Sequence, residues 1–313
     1  MTTSTISTIN KILTSFEVNP AQMNIVLIQD GIDNAIYTFA LKDNSKAVLR
    51  LSKRDVANVI DFETQLLEFL SNQHVPVAQI LPTNENKLWV EESGTVSIAF
   101  EYVEGEIITV DSHNKPSKNH VLTAGRILGK MHKVSPGFTY KNSKRRSIYS
   151  EFERALGIKE RILRLKSGDI FIKTLERYKS WARVYQGPQG VIHNDYIPSN
   201  IIFQNPHSGV IIDFDWACYG PLIKDLGIAL CTWTSPDGLD DHWQDLFAAF
   251  IDGYNETTQE SIPINKDLYK WICFSVLSDA CTFFADLSID NNEITDVKQC
   301  RRYMKYLYFE GLS

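Results

Sequence analysis

Three polar side chains, Asp195, Asn200 and Asp213, stand in the order that phosphoryl transfer needs. Asp195 and Asn200 share the stretch His193-Asn194-Asp195-Tyr196-Ile197-Pro198-Ser199-Asn200, and Asp213 follows in Ile211-Ile212-Asp213-Phe214-Asp215. A carboxylate at Asp195 can meet an acceptor hydroxyl and take its proton as the bond to phosphorus forms. An amide oxygen at Asn200 and a carboxylate at Asp213 are hard donors of the kind that hold Mg²⁺ against nucleotide phosphates. Singly, such an Asp caps a turn and such an Asn satisfies backbone groups; the ordered set favours chemistry. Asp215 lies two residues beyond Asp213, on the same side of an extended segment. It either contributes to a second metal or faces solvent.

The elements that position these residues are written in the hydrophobic pattern. Apolar runs at 201–203 and 210–212 predict two short buried strands, joined by the turn Asn205-Pro206-His207-Ser208-Gly209. Asn200 and Asp213 lie symmetrically about that turn, so a hairpin brings them to its open end. At the start of the chain Ile6, Ile9, Leu13 and Phe16 recur at helical spacing. Strand-like runs follow at 25–28, 35–41 and 47–51, then a helix marked by Phe62, Leu66, Leu67 and Leu70 that stops before Pro76, then a hairpin of 88–90 and 96–102. Five strands and one helix make a small α+β lobe. Val103-Glu104-Gly105-Glu106 punctuates the change to a helical pattern, dividing the chain into 1–103 and 104–313. Helical stretches are expected near 121–131, 150–166, 170–186, 243–254 and 268–308.

His193-x-Asp195-x₄-Asn200 and Ile212-Asp213-Phe214 resemble the catalytic loop and metal-binding motif of the protein-kinase-like superfamily. The run Gly220-Pro221-Leu222-Ile223-Lys224-Asp225-Leu226-Gly227-Ile228-Ala229-Leu230 resembles the aminoglycoside phosphotransferase branch, which also holds choline, homoserine, methylthioribose and fructosamine kinases. The resemblance implies a bilobal α+β fold, with a small strand-rich nucleotide-binding lobe and a larger, mainly helical catalytic and acceptor-binding lobe. It implies ATP as phosphoryl donor (GTP is the alternative) and Mg²⁺ as the ion. Asp195 becomes the catalytic residue, Asn200 and Asp213 the metal ligands, His193 and Asp225 structural supports of the loop. Arg50 occupies the position of the phosphate-contacting lysine on the third strand, and Glu63 that of its helix partner. Arginine is a departure from the protein-kinase pattern, but it can grip phosphate with two parallel bonds. Gly31 and Asn34 fall where a Gly-rich phosphate loop belongs, although one glycine stands where three are usual. Residues 99–104, through the backbone of Glu101 and Val103, fall where a hinge meets the adenine edge.

Only eleven residues separate Asp213 from Asp225. A peptide-binding activation segment has no room there, so the acceptor is a small-molecule hydroxyl compound. Trp233, Asp237, Asp240, Asp241, Trp243, Asp279, Phe283, Phe284 and Asp286 offer carboxylates beside aromatic faces, which suit an ammonium group. Residue by residue, the plainer reading is aromatic core and solvated acids. An aminoglycoside or amino-alcohol leads, while homoserine and a sugar such as methylthioribose stay open. A catalytically silent nucleotide-binding scaffold is the rival from another class. Such a protein should lack one of the three polar groups, and all three are present.

Composition excludes other classes. A net charge of −6 argues against a nucleic-acid partner, whose affinity comes from a basic surface. Hydrophobic residues at 43% and charged residues at 22% are ordinary for a globular protein. No apolar run approaches the roughly 20 residues of a membrane span, and residues 1–10 lack the pattern of a signal peptide. The five cysteines, Cys218, Cys231, Cys273, Cys281 and Cys300, form no metal-spaced pair and suit inert thiols in a reducing cytosol. A cytoplasmic enzyme is expected; its oligomeric state has no signature in the sequence.

Overall fold

The computed structural model describes residues 3–16, 18, 25–31, 34–53, 57–109, 116–141, 146–234, 243–259, 262–286 and 294–312. They fall into two compact units. The first takes in Met1–Gly105, Thr139–Arg145 and Val210–Asp215; the second is Glu106–Phe138, Arg146–Gly209 and Trp216–Ser313.

In the first unit, antiparallel strands β1 (Val26–Asp30), β2 (Asn34–Ala40), β3 (Lys46–Ser52), β4 (Ile80–Leu81), β5 (Val90–Glu92) and β6 (Thr95–Glu101) form one sheet. The order is β1-β2-β3-β6-β4, with β5 also on β6. The sheet has six strands where the hydrophobic pattern predicts five. The extra one, β4, is two residues long, too short to leave a periodic signal. Alternation along β3 decides what goes where. Ala47, Leu49 and Leu51 join Ile9, Ile12 and Leu13 of α1 (Thr3–Leu13) in one core cluster. Arg50, one residue out of phase, points to the other face. There α2 (Ala57–Asn72) buries Phe62, Glu63 and Leu66.

Two later segments return to this unit. The Tyr140 hydroxyl donates to Asp61 Oδ2 at 3.0 Å while its ring meets Phe62 edge-on at 5.2 Å. The Ile211 N–H donates to Pro76 O at 2.8 Å, and Ala78 N–H donates to Ile211 O at 3.0 Å, making a parallel bridge between Val77 and Ile211. Asp213 and Asp215 are thereby fixed to the first unit.

The second unit is mainly helical: α3 (Lys118–Val134), α4 (Ser150–Gly157), α5 (Lys159–Ile162), α6 (Gly168–Arg183), α7 (Leu222–Thr234), α8 (Trp243–Thr258), α9 (Lys266–Asp286) and α10 (Arg301–Glu310). The expected 150–166 helix is broken into α4 and α5 at Ile158, whose backbone leaves the helical region. Helix α9 buries side chains around most of its circumference, including Trp271, Phe274, Leu277, Cys281 and Phe284, as a core helix must. All five cysteines are buried. Helices α3 and α8 pack backbone to backbone. A Cβ on Gly125 would lie 2.2 Å from Phe250 O, and one on Gly253 would lie 2.1 Å from Leu122 O, so both positions exclude any side chain.

Short strands are also formed. A three-stranded sheet runs β10 (Ser208–Ile211), β9 (Ile201–Asn205), β7 (Glu106–Ile107), and β8 (Gln189–Ile192) pairs with β11 (Cys218–Pro221). The β9–β10 hairpin is the one that the sequence predicts; β7, β8 and β11 lie outside its pattern. Among the described residues no helix is long and apolar enough to cross a membrane.

Candidate active site

The catalytic loop begins where β8 ends. Pairing of Ile192 with Cys218 fixes the strand, and the chain then turns sharply at Asn194, whose φ is +68°. The turn is held from below by Asp225, in the first turn of α7. Its carboxylate accepts the N–H groups of His193 and Asn194, each at 2.7 Å. His132 Nε2 lies 3.2 Å from the same carboxylate, and His132 Nδ1 lies 3.0 Å from the Tyr254 hydroxyl. Close packing of α3 on α8 is what lets His132 and Tyr254 meet. Burial opposes ionisation of Asp225, but the hydrogen bond and charge of His132, with His193 and Lys224, outweigh it and hold the carboxyl below its ordinary value. The His193 ring accepts the Asp195 N–H at 3.3 Å, a bracing contact within the loop.

Beyond the turn, Asp195 and Asn200 come together. The Asn200 amide nitrogen donates to the Asp195 carbonyl at 2.8 Å and to its carboxylate Oδ2 at 3.0 Å. Backbone bonds from Ile197 to Asp195 and from Asn200 to Ile197, both 3.0 Å, wind the segment tightly enough for this contact. With both nitrogen bonds directed at Asp195, the Asn200 oxygen remains as the group able to coordinate a hard cation. Asn200 itself is buried.

In the first unit Arg50 and Glu63 form a bidentate pair, Nη1 to Oε1 at 2.8 Å and Nη2 to Oε2 at 2.5 Å, both side chains nearly inaccessible. Burial works against the guanidinium charge, but Glu63 more than compensates and drives its pKa upward. Arg50 Nη1 also lies 3.5 Å from Asp213 Oδ1. Asp213 takes a left-handed backbone, φ +65°, and its side chain is 39% exposed. A left-handed residue with a Cβ costs on the order of 1 kcal/mol and recurs where function needs the geometry. Asn34 Nδ2 donates to Asp215 Oδ2 at 3.3 Å, so the structure ties Asp215 to the predicted phosphate loop.

The other predicted nucleotide contacts are placed less distinctively. Gly31 donates to Asn34 O at 3.0 Å and accepts from Lys53 Nζ at 2.6 Å, closing a small loop; Ile32 and Asp33 lie outside the described residues. Glu101 spends its N–H on Gln79 O at 2.9 Å, and Val103 follows β6 without secondary structure. Of the acceptor-side candidates, Trp233, Trp243 and Phe284 are core: Trp233 packs on Phe203, Trp243 on Phe247, and Phe284 on Phe171. Asp286 pairs with Arg154, and Asp279 Oδ2 pairs with Arg302 Nε at 3.0 Å. Asp279 is 42% exposed, yet burial pushes its carboxyl up, with Arg302 opposing and Asp195 reinforcing the shift. Asp237, Asp240 and Asp241 lie outside the described residues. Residues that the sequence left unmarked are Asn194, Lys224, His132 and Tyr254. Asn194 and Lys224 stand inside the quoted motif runs, but at positions to which those runs assign no role, so their pairing leaves no signal.

Among the described residues no group of three or more His, Cys, Asp or Glu is placed to hold a metal by itself.

The fold is the protein-kinase-like one. An amicoumacin kinase, hAmiN, solved in complex with AMP-PNP, Ca²⁺ and Ami, superposes with a TM-score of 0.75 at 15% identity, covering 100% of this chain and 98% of that one. A microcompartment-associated aminopropanol kinase superposes at 0.64 and 17% identity, covering 98% and 94%. At these identities the likeness is one of fold. Residues 24–261 match the phosphotransferase enzyme family, and the chain belongs to that family. A homoserine kinase of Sinorhizobium medicae (strain WSM419) is 26% identical over 209 residues, 66% of this chain. The match spans 62% of that relative's length.

Proposed function

We propose that this protein transfers the γ-phosphoryl group of ATP, with GTP as the alternative donor, to a hydroxyl of a small molecule. Residues 1–103 form the nucleotide-binding lobe and residues 104–313 the catalytic and acceptor-binding lobe, in the cytoplasm. Asp195 orients the acceptor hydroxyl and receives its proton. Asn200 and Asp213 are the protein ligands of Mg²⁺, which neutralises charge developing on the phosphates. Arg50, locked by Glu63, contacts the phosphates; Gly31 and Asn34 cover them; the backbone of Glu101 and Val103 meets the adenine edge. The observation that carries the reading is the Asn200–Asp195 contact, because it fastens the hydroxyl-facing carboxylate to a metal-ligating amide.

The acceptor is an amino-alcohol or an aminoglycoside. Solved neighbours that are amicoumacin and aminopropanol kinases support this class. Homoserine is the second reading, favoured by the homoserine kinases among the sequence relatives. ADP release should be measured with the purified protein, ATP and Mg²⁺ against amino-alcohols, aminoglycosides, homoserine and methylthioribose. Acceptor-dependent release that disappears with EDTA is expected. Absence of release with every acceptor, and with water, would leave only the silent scaffold.

A further inference from the structure

Asn194, between His193 and Asp195, has every one of its polar groups engaged. Its N–H donates to Asp225 Oδ1 at 2.7 Å, and its carbonyl accepts from Lys224 Nζ at 3.1 Å. Its side-chain Oδ1 accepts from the same ammonium, and Nδ2 donates to Trp216 O at 3.1 Å. This saturation coincides with a left-handed backbone, where glycine is the unstrained choice and asparagine the best tolerated substitute.

Lys224 is 2% exposed. A lysine near a surface normally extends its ammonium to water, and burial of that charge is costly unless it is paired. Burial lowers its pKa, with Asp225 and Asp195 opposing the shift. The cation is therefore kept inside for a reason, and its bonded partners lie on one residue. Lys224 and Asp225 are consecutive in the first turn of α7, and the Ser275 hydroxyl ties the Lys224 carbonyl to α9 at 3.0 Å. The carboxylate takes the two N–H groups of the turn. It cannot serve the Asn194 carbonyl, which needs a donor, and Lys224 supplies that donor. The next backbone unit is Asp195.

We propose that Lys224 is a positioning residue for phosphoryl transfer: its ammonium clamps Asn194 in the left-handed turn that aims Asp195. The proposal rests on the reading of Asp195 as the residue that meets the acceptor hydroxyl. Lys224 acts through Asn194 and touches no reactant.

The test uses the full chain with MgATP and water as acceptor. Lys224→Met keeps length and burial but removes the donor. The expected result is a kcat for ADP release lowered about 10- to 100-fold, the range for a small misplacement of a reacting group, with KM for ATP within about twofold of wild type. Hydrogen exchange, read by mass spectrometry, should accelerate over 193–197 and stay unchanged in α3 and α8. Wild-type kcat together with wild-type exchange over 193–197 overturns the inference and leaves the phosphotransferase reading intact. A wild-type protein that releases no ADP counts against that reading instead, and exchange alone then decides whether Lys224 holds the turn. Should Lys224→Met exchange everywhere, Asn194→Gly decides. It keeps the turn conformation but removes the side-chain acceptor, and unaltered exchange and kcat there overturn the proposal.

Discussion

In the first unit the cation Arg50 is fixed by another side chain, through a buried pair between a strand and a helix. In the second, the charges of Asp225 and Lys224 are spent on the backbone of the loop that carries Asp195. On the proposed roles of Arg50 and Asp195, the difference follows from what each region has to deliver. A phosphate-contacting cation needs a charge at a place, and a bidentate carboxylate on a regular element supplies it. A residue that must accept a proton from one hydroxyl needs direction as well, and direction is set by its own backbone. The second unit therefore tolerates a left-handed residue at 194 and surrounds it with groups that leave no alternative conformation satisfied. The contrast is incomplete: Asp213, in the first unit, is also left-handed and is approached by Arg50.

The largest effect should come from Asp195→Ala. ADP release with a true acceptor is expected to fall on the order of 10²–10⁴-fold, while the melting temperature stays near that of the wild type. Activity retained in that variant breaks the comparison, because the loop would then be braced for nothing. Next comes Glu63→Ala, which leaves the Arg50 guanidinium buried without its partner. A loss of about 3–5 kcal/mol is expected in denaturant melts. The double variant Arg50→Met/Glu63→Leu should recover most of that stability without recovering phosphoryl transfer. Recovery of both would mean that the pair is merely structural.

These regions differ in how far they could be read from the sequence. The grouping of Asp195 with Asn200 is legible because their motif is local, and Arg50 is marked by the resemblance of its strand to the family pattern. The clamp is not legible. Asn194 reads as any loop asparagine until its φ is known, and the burial of Lys224 appears only in the fold. The β8–β11 pair joins segments more than twenty residues apart, so no local pattern announces it. A single boundary at 103/104 likewise cannot register that 139–141 and 210–215 belong with the first unit. The aromatics Trp233, Trp243 and Phe284 follow the plainer of the two readings that the sequence allows, core and not a cation-binding wall.

A smaller effect separates the two kinds of fixation by pH. The folded-state pKa of Asp225 lies below its ordinary value of 3.8. Its carboxylate therefore contributes stability above that value and loses the contribution as pH falls through the depressed one. Asp225→Asn should cost about 1–3 kcal/mol at neutral pH, as an unmatched buried group. The gap between wild type and variant should narrow in melts taken below pH 3.8. Arg50 stays charged throughout that range.

The smallest expected change is also the most discriminating. Tyr254→Phe removes one hydroxyl, 3.0 Å from His132 Nδ1, and leaves the ring that meets the imidazole edge-on at 5.6 Å. Stability should fall by about 0.5–1.5 kcal/mol, the net worth of one hydrogen bond. If the brace under Asp225 were a chain in which each bond orients the next, kcat would fall as well. If the α3–α8 contact through Gly125 and Gly253 already fixes His132, kcat should stay within about twofold. The backbone approach there excludes even a methyl group, so rigid helix packing is the stronger constraint and the second outcome is expected. A kcat loss of about tenfold, with KM for ATP unchanged, would instead extend the positioning network of the second unit three bonds away from Asp195.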